Sequence, residues 1–138
     1  LTRINCVPVE CLTKSHLMAE YKESTRPFNK VTKRLDKNTM VKVKIPEKYC
    51  LGKGHETFFF DKLMWLLDRR QDIFDELIKR GFNLNVKQFM EIQTDLHDKF
   101  FKTKYGGYWE PSPEDMYLNM SRLVKRSNIV EVTEELSC

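Results

Sequence analysis

No apolar run in the sequence approaches the ~20 residues a membrane span requires, and the first residues lack the apolar stretch of a signal peptide. The expectation is a protein that works inside a cell, in cytoplasm or nucleus, with no membrane partner. Cysteine is sparse. Cys6, Cys11, Cys50 and Cys138 stand at irregular spacings with no C-x-x-C pair, a pattern that favours free thiols over disulfides or metal ligation. His16, His55 and His97 are scattered singly, which leaves a zinc site without support. Glycine is scarce too, and the phosphate-loop spacing G-x-x-x-x-G-K-[ST] is absent. The nearest approach is Gly52-Lys53-Gly54-His55. It reads either as a tight turn or as a backbone surface on which a phosphate nears a helix N-terminus. Neither a metal nor a cofactor is expected.

What is present describes a soluble globular chain. Hydrophobic residues make up 41% and charged residues 32%, and 138 residues suffice for one domain around one core. The net charge of +4 conceals an asymmetry: residues 1–54 hold 12 Lys/Arg against 5 Asp/Glu, whereas residues 55–138 hold 12 against 15. Positive charge concentrated in one part of a chain is the footprint of a polyanion partner. A solvated basic surface has the same composition, and charge alone does not choose between them.

The local patterns predict an all-α fold, a single compact domain of three main helices with long connecting loops. Residues 2–9 read as an extended lead-in. Thr13 or Ser15 can cap a helix over about 14–37, with Leu17, Met18, Tyr21, Phe28, Val31 and Leu35 on one face. Its other side carries His16, Glu20, Glu23, Arg26, Lys30, Lys33 and Lys37, and Pro27 should kink or restart it. A second helix is expected over about 57–80, with a wide apolar stripe and Gly81 at the stop position. Residues 82–105 read as mixed, with a short helical turn around 86–92, and Tyr105-Gly-Gly-Tyr108-Trp109 as a flexible aromatic loop. Pro111-Ser112-Pro113-Glu114-Asp115 is a strong start for a third helix over 113–126. The acidic tail 127–138 is expected to fray.

Several blocks then carry a family resemblance. Thr2-Arg3-Ile4-Asn5, His16-Leu17-Met18-Ala19-Glu20-Tyr21 with Glu23 and Arg26, Gly52-x-Gly54-His55, Phe58-Phe59-x-Asp61-Lys62-Leu63 and Lys79-Arg80-Gly81-Phe82-Asn83 occur in order. Together they resemble the pyrimidine-dimer DNA glycosylases of T-even bacteriophages, the endonuclease V family. The likeness runs over about residues 2–84 and returns more weakly at Tyr108 and from Pro111 to Arg126.

The resemblance implies a DNA-repair glycosylase for cis-syn cyclobutane pyrimidine dimers that also cleaves the strand at the abasic site. The partner would be double-stranded DNA carrying ultraviolet photoproducts or abasic sites, and the enzyme a monomer, in the family's case virus-encoded. Thr2 would supply its α-amine as nucleophile and Glu23 the catalytic carboxylate. Arg3, Lys22, Arg26, Arg122 and Arg126 fall at DNA-contacting positions, and His16 beside the active centre. Three departures stand out. Leu1 precedes Thr2, so the nucleophile reading expects Leu1 to be removed. Lys22 stands where the family has arginine, keeping the charge without the planar fork. The family's C-terminal Trp and Tyr cluster has no counterpart in Ile129 to Cys138, which leaves Tyr108 and Trp109 as aromatic substitutes. A non-catalytic basic DNA-binding protein is the alternative, but it leaves Glu23 unexplained.

Overall fold

The computed structural model describes residues 2–126; of Lys125 and Arg126 it describes only the backbone. The predicted all-α class holds: five α-helices and three short 3-10 turns, with no strand among the described residues. Their boundaries differ from the sequence expectation in instructive ways.

Helix α1 spans Lys14–Glu23, and Thr13 caps it by accepting the His16 N–H at 3.2 Å. The chain turns at Ser24 and Thr25 before α2, Arg26–Asp36. The expected single helix over 14–37 is therefore two. Pro27 has no N–H to give the Glu23 carbonyl four residues earlier, so the helical ladder ends there, and proline fits the first turn of the new helix at no cost. Glu23 becomes the last residue of α1.

The expected helix over 57–80 is also divided. A 3-10 turn, Thr57–Asp61, precedes α3, Leu63–Lys79, and Lys62 between them leaves helical geometry at φ −127°. The first amides of α3 explain the break. Leu63 N–H donates to the Tyr105 carbonyl (3.0 Å), while Met64 and Trp65 N–H donate to that of Gly107 (3.2 Å each). The otherwise unpartnered donors of a helix start are thus met by a distant loop. That loop is packed, not flexible: a Cβ on Gly106 would lie 2.2 Å from the Phe100 carbonyl oxygen. Trp109 is likewise committed, 4.8 Å from Trp65 and 5.1 Å from Phe58 between ring centres, which removes it as a free aromatic reader. Tyr108 is exposed. At the other end, Gly81 (φ 96°) closes α3 as predicted, with Gly81 and Phe82 N–H donating back to Ile78 and Leu77.

Residues 82–105, read as mixed with a short turn at 86–92, contain a full helix, α4, Val86–Phe100. Asn85 caps it by accepting the Gln88 N–H at 3.0 Å. Its buried residues, Phe89 and Phe100, stand far apart, too thin a stripe for periodicity to reveal. Helix α5, Pro113–Arg126, begins as expected. Ser112 Oγ accepts the Asp115 N–H (3.1 Å) and Asp115 returns the favour to Ser112 N–H (2.9 Å), a reciprocal cap. The tail 127–138 lies outside the described residues.

Two apolar clusters hold the helices in one compact domain. Phe28, Phe58, Phe59, Phe60, Leu66 and Phe100 centre the first; Leu12, Leu17, Ile73, Leu77 and Leu123 centre the second. The N-terminal segment reaches both, since Ile4 enters one and Val7 the other. Each is fully buried, and burial of such a side chain stabilises by roughly 1.5–3 kcal/mol. Two residues of the lead-in therefore pin it across the domain.

Candidate active site

Residues 2–6 belong to no helix or strand, yet all but Arg3 are buried. A backbone buried outside helix and sheet must have its polar groups met by something. Here side chains meet them. Arg3 N–H donates to Glu23 Oε1 at 2.9 Å. Ile4 N–H donates to His55 Nε2 at 2.8 Å, and the Ile4 carbonyl accepts from the Tyr49 hydroxyl at 3.2 Å. Asn119 Oδ1, on α5, takes both Cys6 N–H (2.7 Å) and Val7 N–H (3.2 Å). Arg69, on α3, donates to the Val7 carbonyl at 2.5 Å.

Beneath this segment lies a buried polar network. Asn5 Nδ2 donates to Glu20 Oε1 (2.9 Å), and its Oδ1 accepts from Asn119 Nδ2 (2.7 Å) and from Arg122. Arg69 grips Glu20 through Nε (2.9 Å) and Nη2 (3.1 Å), the forked geometry that makes arginine a strong carboxylate partner. Glu20 was expected on the solvent face of the first helix. It is instead 2% exposed, and Arg69 supplies the charge that permits its burial.

His55 has a defined protonation state. Its Nδ1 donates to the Cys50 carbonyl at 2.8 Å, so Nε2 must be the bare nitrogen that accepts from Ile4. Burial pushes its pKa below the ordinary value of 6.5, and the nearby Arg122 guanidinium adds to that, outweighing the bond to Cys50. The ring stays neutral and holds the backbone.

Above the network opens a cavity of about 410 Å³, walled by Arg3, Asn5, Ser15, His16, Ala19, Glu20, Glu23 and Arg122. Of the site residues expected from sequence, Arg3, His16, Glu23 and Arg122 meet there. Thr2 is 7% exposed and directly precedes Arg3. Three covalent bonds separate its nitrogen from the Arg3 nitrogen, at most about 4 Å, which bounds its distance from the Glu23 carboxylate at about 7 Å. Lys22 and Arg26 are exposed and flank Glu23 at the α1–α2 turn, outside the cavity wall. Arg126 is the last residue of α5; its side chain and Leu1 lie outside the described residues. His16 Nδ1 sits 3.0 Å from Thr13 Oγ1, so the ring is tied to the helix cap.

The turn that carries Glu23 is itself anchored. Arg70, on α3, donates to Ser24 Oγ (2.6 Å) and to Gln93 Oε1 on α4 (2.8 Å), and Ser24 donates to the Tyr21 carbonyl (2.9 Å). Asn5, Glu20 and His55 fall inside the very blocks that carry the family resemblance but were assigned no role. Asn119, Arg69, Arg70 and Tyr49 carry no local signal. Cys6 and Cys50 are free thiols, with Cys6 raised to about 12 by burial and therefore unreactive; Cys138 is outside the described residues. Among the described residues, no group of three or more His, Cys, Asp or Glu is placed to hold a metal. No described helix is long and apolar enough to cross a membrane.

Fold and cleft together define a small all-α protein whose carboxylate-bearing cleft is set in positive charge, an arrangement suited to a polyanion. Residues 1–90 match the model of the family described as pyrimidine dimer DNA glycosylase, and the chain belongs to that family. Membership makes DNA damaged by ultraviolet light its substrate class and pyrimidine-dimer glycosylase its general activity.

Proposed function

We propose that the protein excises cis-syn cyclobutane pyrimidine dimers through a covalent imine on the Thr2 α-amine and then cleaves the DNA strand at the resulting abasic site. The observation that carries this reading is the 2.9 Å bond from Arg3 N–H to Glu23 Oε1, which sets a carboxylate against the chain's first residues. The amine exists once Leu1 has been removed. An α-amine titrates at about 7.7–8.0 against about 10.4 for lysine, so a useful fraction is nucleophilic near neutral pH.

In this mechanism the amine attacks C1′ of the damaged nucleotide. The C1′–N bond breaks, the base takes up a proton as it leaves, and the opened sugar becomes an iminium joined to Thr2. The iminium acidifies the C2′ proton. Its removal expels the 3′ phosphate by β-elimination, and water later releases the enzyme. Glu23 stabilises the cationic intermediate and moves these protons. Reaching C1′ requires a kinked duplex or a displaced base, and a dimer already weakens the local stack. Arg3, Lys22, Arg26, Arg122 and Arg126 hold the backbone around the lesion, His16 supports the centre, and the enzyme acts as a monomer. None of these steps calls for a cofactor.

Borohydride reduction tests the proposal. The protein with and without Leu1 is incubated with ultraviolet-irradiated duplex and sodium borohydride, and the adduct is resolved by denaturing electrophoresis. An adduct that requires a free Thr2 amine is expected. No adduct with either form defeats the imine mechanism, and an adduct formed equally well with Leu1 retained defeats Thr2 as nucleophile.

A further inference from the structure

The turn Gly52-Lys53-Gly54 has no part in the chemistry above, yet it forms one wall of a second groove. This groove, about 510 Å³, is lined by Arg34 from α2, Lys42 and Lys44 from the following loop, and Lys53 from the turn, over Val43 and Pro46. All four cations are exposed, and none forms an ion pair with a carboxylate among the described residues. Asp36 and Glu47 lie in the same stretch of chain but pair with none of them. The neighbouring Glu56 is engaged by Lys30. The groove is therefore a concentrated, uncompensated positive site. Gly54 helps shape it: its φ is +91°, and a Cβ there would press within 3.1 Å of the Pro46 ring.

The position of the groove selects the occupant. Helix α2 begins at Arg26, beside Glu23, and Arg34 lies eight residues along it, about 12 Å at 1.5 Å per residue. Lys30 and Lys33 stand between them on the exposed surface. Exposed cations thus run from the cleft along α2 to the groove. The geometry points to the groove as a second contact for the phosphodiester backbone, gripping flanking phosphates of the same duplex whose lesion lies in the cleft. This rests on the glycosylase reading and extends it. The groove contributes sequence-blind affinity, and the chemistry stays in the cleft.

Counterion release gives the test its scale, since each phosphate neutralised adds about 0.9 to the slope of log K against log salt. The variant R34Q/K42Q/K44Q/K53Q is compared with wild type for binding to an undamaged 30-base-pair duplex by fluorescence anisotropy between 50 and 200 mM NaCl. A slope shallower by up to about 3.6 is expected, so wild type loses up to roughly 150-fold more affinity than the variant across that range. Single-turnover incision of dimer-containing duplex at saturating enzyme should match wild type. All four positions are exposed; an unchanged thermal transition checks that the variant folds, and swapping Arg and Lys among the four positions should restore the slope. A wild-type slope in the folded variant overturns the proposal. So does loss of incision at saturation, which would put these residues in the chemistry. If wild type itself fails to incise while the slopes differ as expected, the glycosylase reading fails and the phosphate contact survives.

Discussion

Replacing Asn119 with alanine isolates the device that holds the first residues in place. Asn119 is fully buried, and its amide oxygen is the partner of both Cys6 and Val7 N–H. Alanine leaves those two amides in a space shaped for a side chain that is gone. An unsatisfied buried donor costs about 1–3 kcal/mol, so the pair costs about 4 kcal/mol, with Asn5 Oδ1 retaining Arg122 as a partner. That is a large part of the roughly 5–15 kcal/mol that keeps a domain folded. With an unfolding entropy of roughly 0.3 kcal/mol per kelvin for a chain of 138 residues, Tm should fall by about 13 °C. Urea denaturation followed by circular dichroism measures the loss directly. Borohydride trapping on dimer-containing duplex, at a temperature where both proteins are folded, measures what it does to the site. A reacting group displaced by about 1 Å can lose on the order of 100-fold in rate, and trapping should fall on that scale. A stability loss under about 1 kcal/mol, or trapping within twofold of wild type, would refute the claim that side chains hold this segment.

Glu20→Ala should destabilise by about 3–5 kcal/mol, because it strands the buried Arg69 guanidinium; urea titration checks this, and Glu20→Leu combined with Arg69→Met should recover much of the loss. Glu23→Gln keeps an acceptor for Arg3 N–H while removing the charge, so duplex binding by anisotropy should persist as strand cleavage disappears; cleavage at wild-type rate would remove Glu23 from the chemistry. His55 sets a pH dependence. Its folded pKa lies below 6.5, so the unfolded chain binds the proton more readily, and its contribution to stability is complete above 6.5 and lost as pH falls below it. Tm recorded from pH 7.5 to 5 should drop more for wild type than for His55→Gln, and parallel curves would contradict that assignment.

How much of this could be read from the chain divides along the distance between partners. The start of α5 was legible because Ser112 and Asp115 cap each other three residues apart, and the end of α3 because Gly81 follows it directly. The break before α2 was half legible: Pro27 signalled a disturbance, but the turn falls at Ser24, which Arg70 holds from α3. α4 was legible only as a short turn around 86–92, because its buried positions are spread too thinly to outweigh the polar residues between them. The site divides the same way. The family resemblance implied Thr2, Arg3, His16, Lys22, Glu23, Arg26, Arg122 and Arg126 as site residues; Arg3, His16, Glu23 and Arg122 line one cavity, while Lys22 and Arg26 lie outside its wall. The network beneath them did not show, because Asn5 with Asn119 and Glu20 with Arg69 are pairings 114 and 49 residues apart, and periodicity even sent Glu20 to the wrong face.

The side-chain moorings of the first residues have a consequence for when the protein becomes competent. Asn119 and Arg122, which meet that segment at Cys6, Val7 and Asn5, are synthesised more than a hundred residues after it. Until α5 emerges and docks, the segment that carries the proposed nucleophile lacks the partners of the Cys6 and Val7 amides. The bonds from α5 complete the set, so the proposed strand cleavage depends on a helix made long after the residues that would perform it.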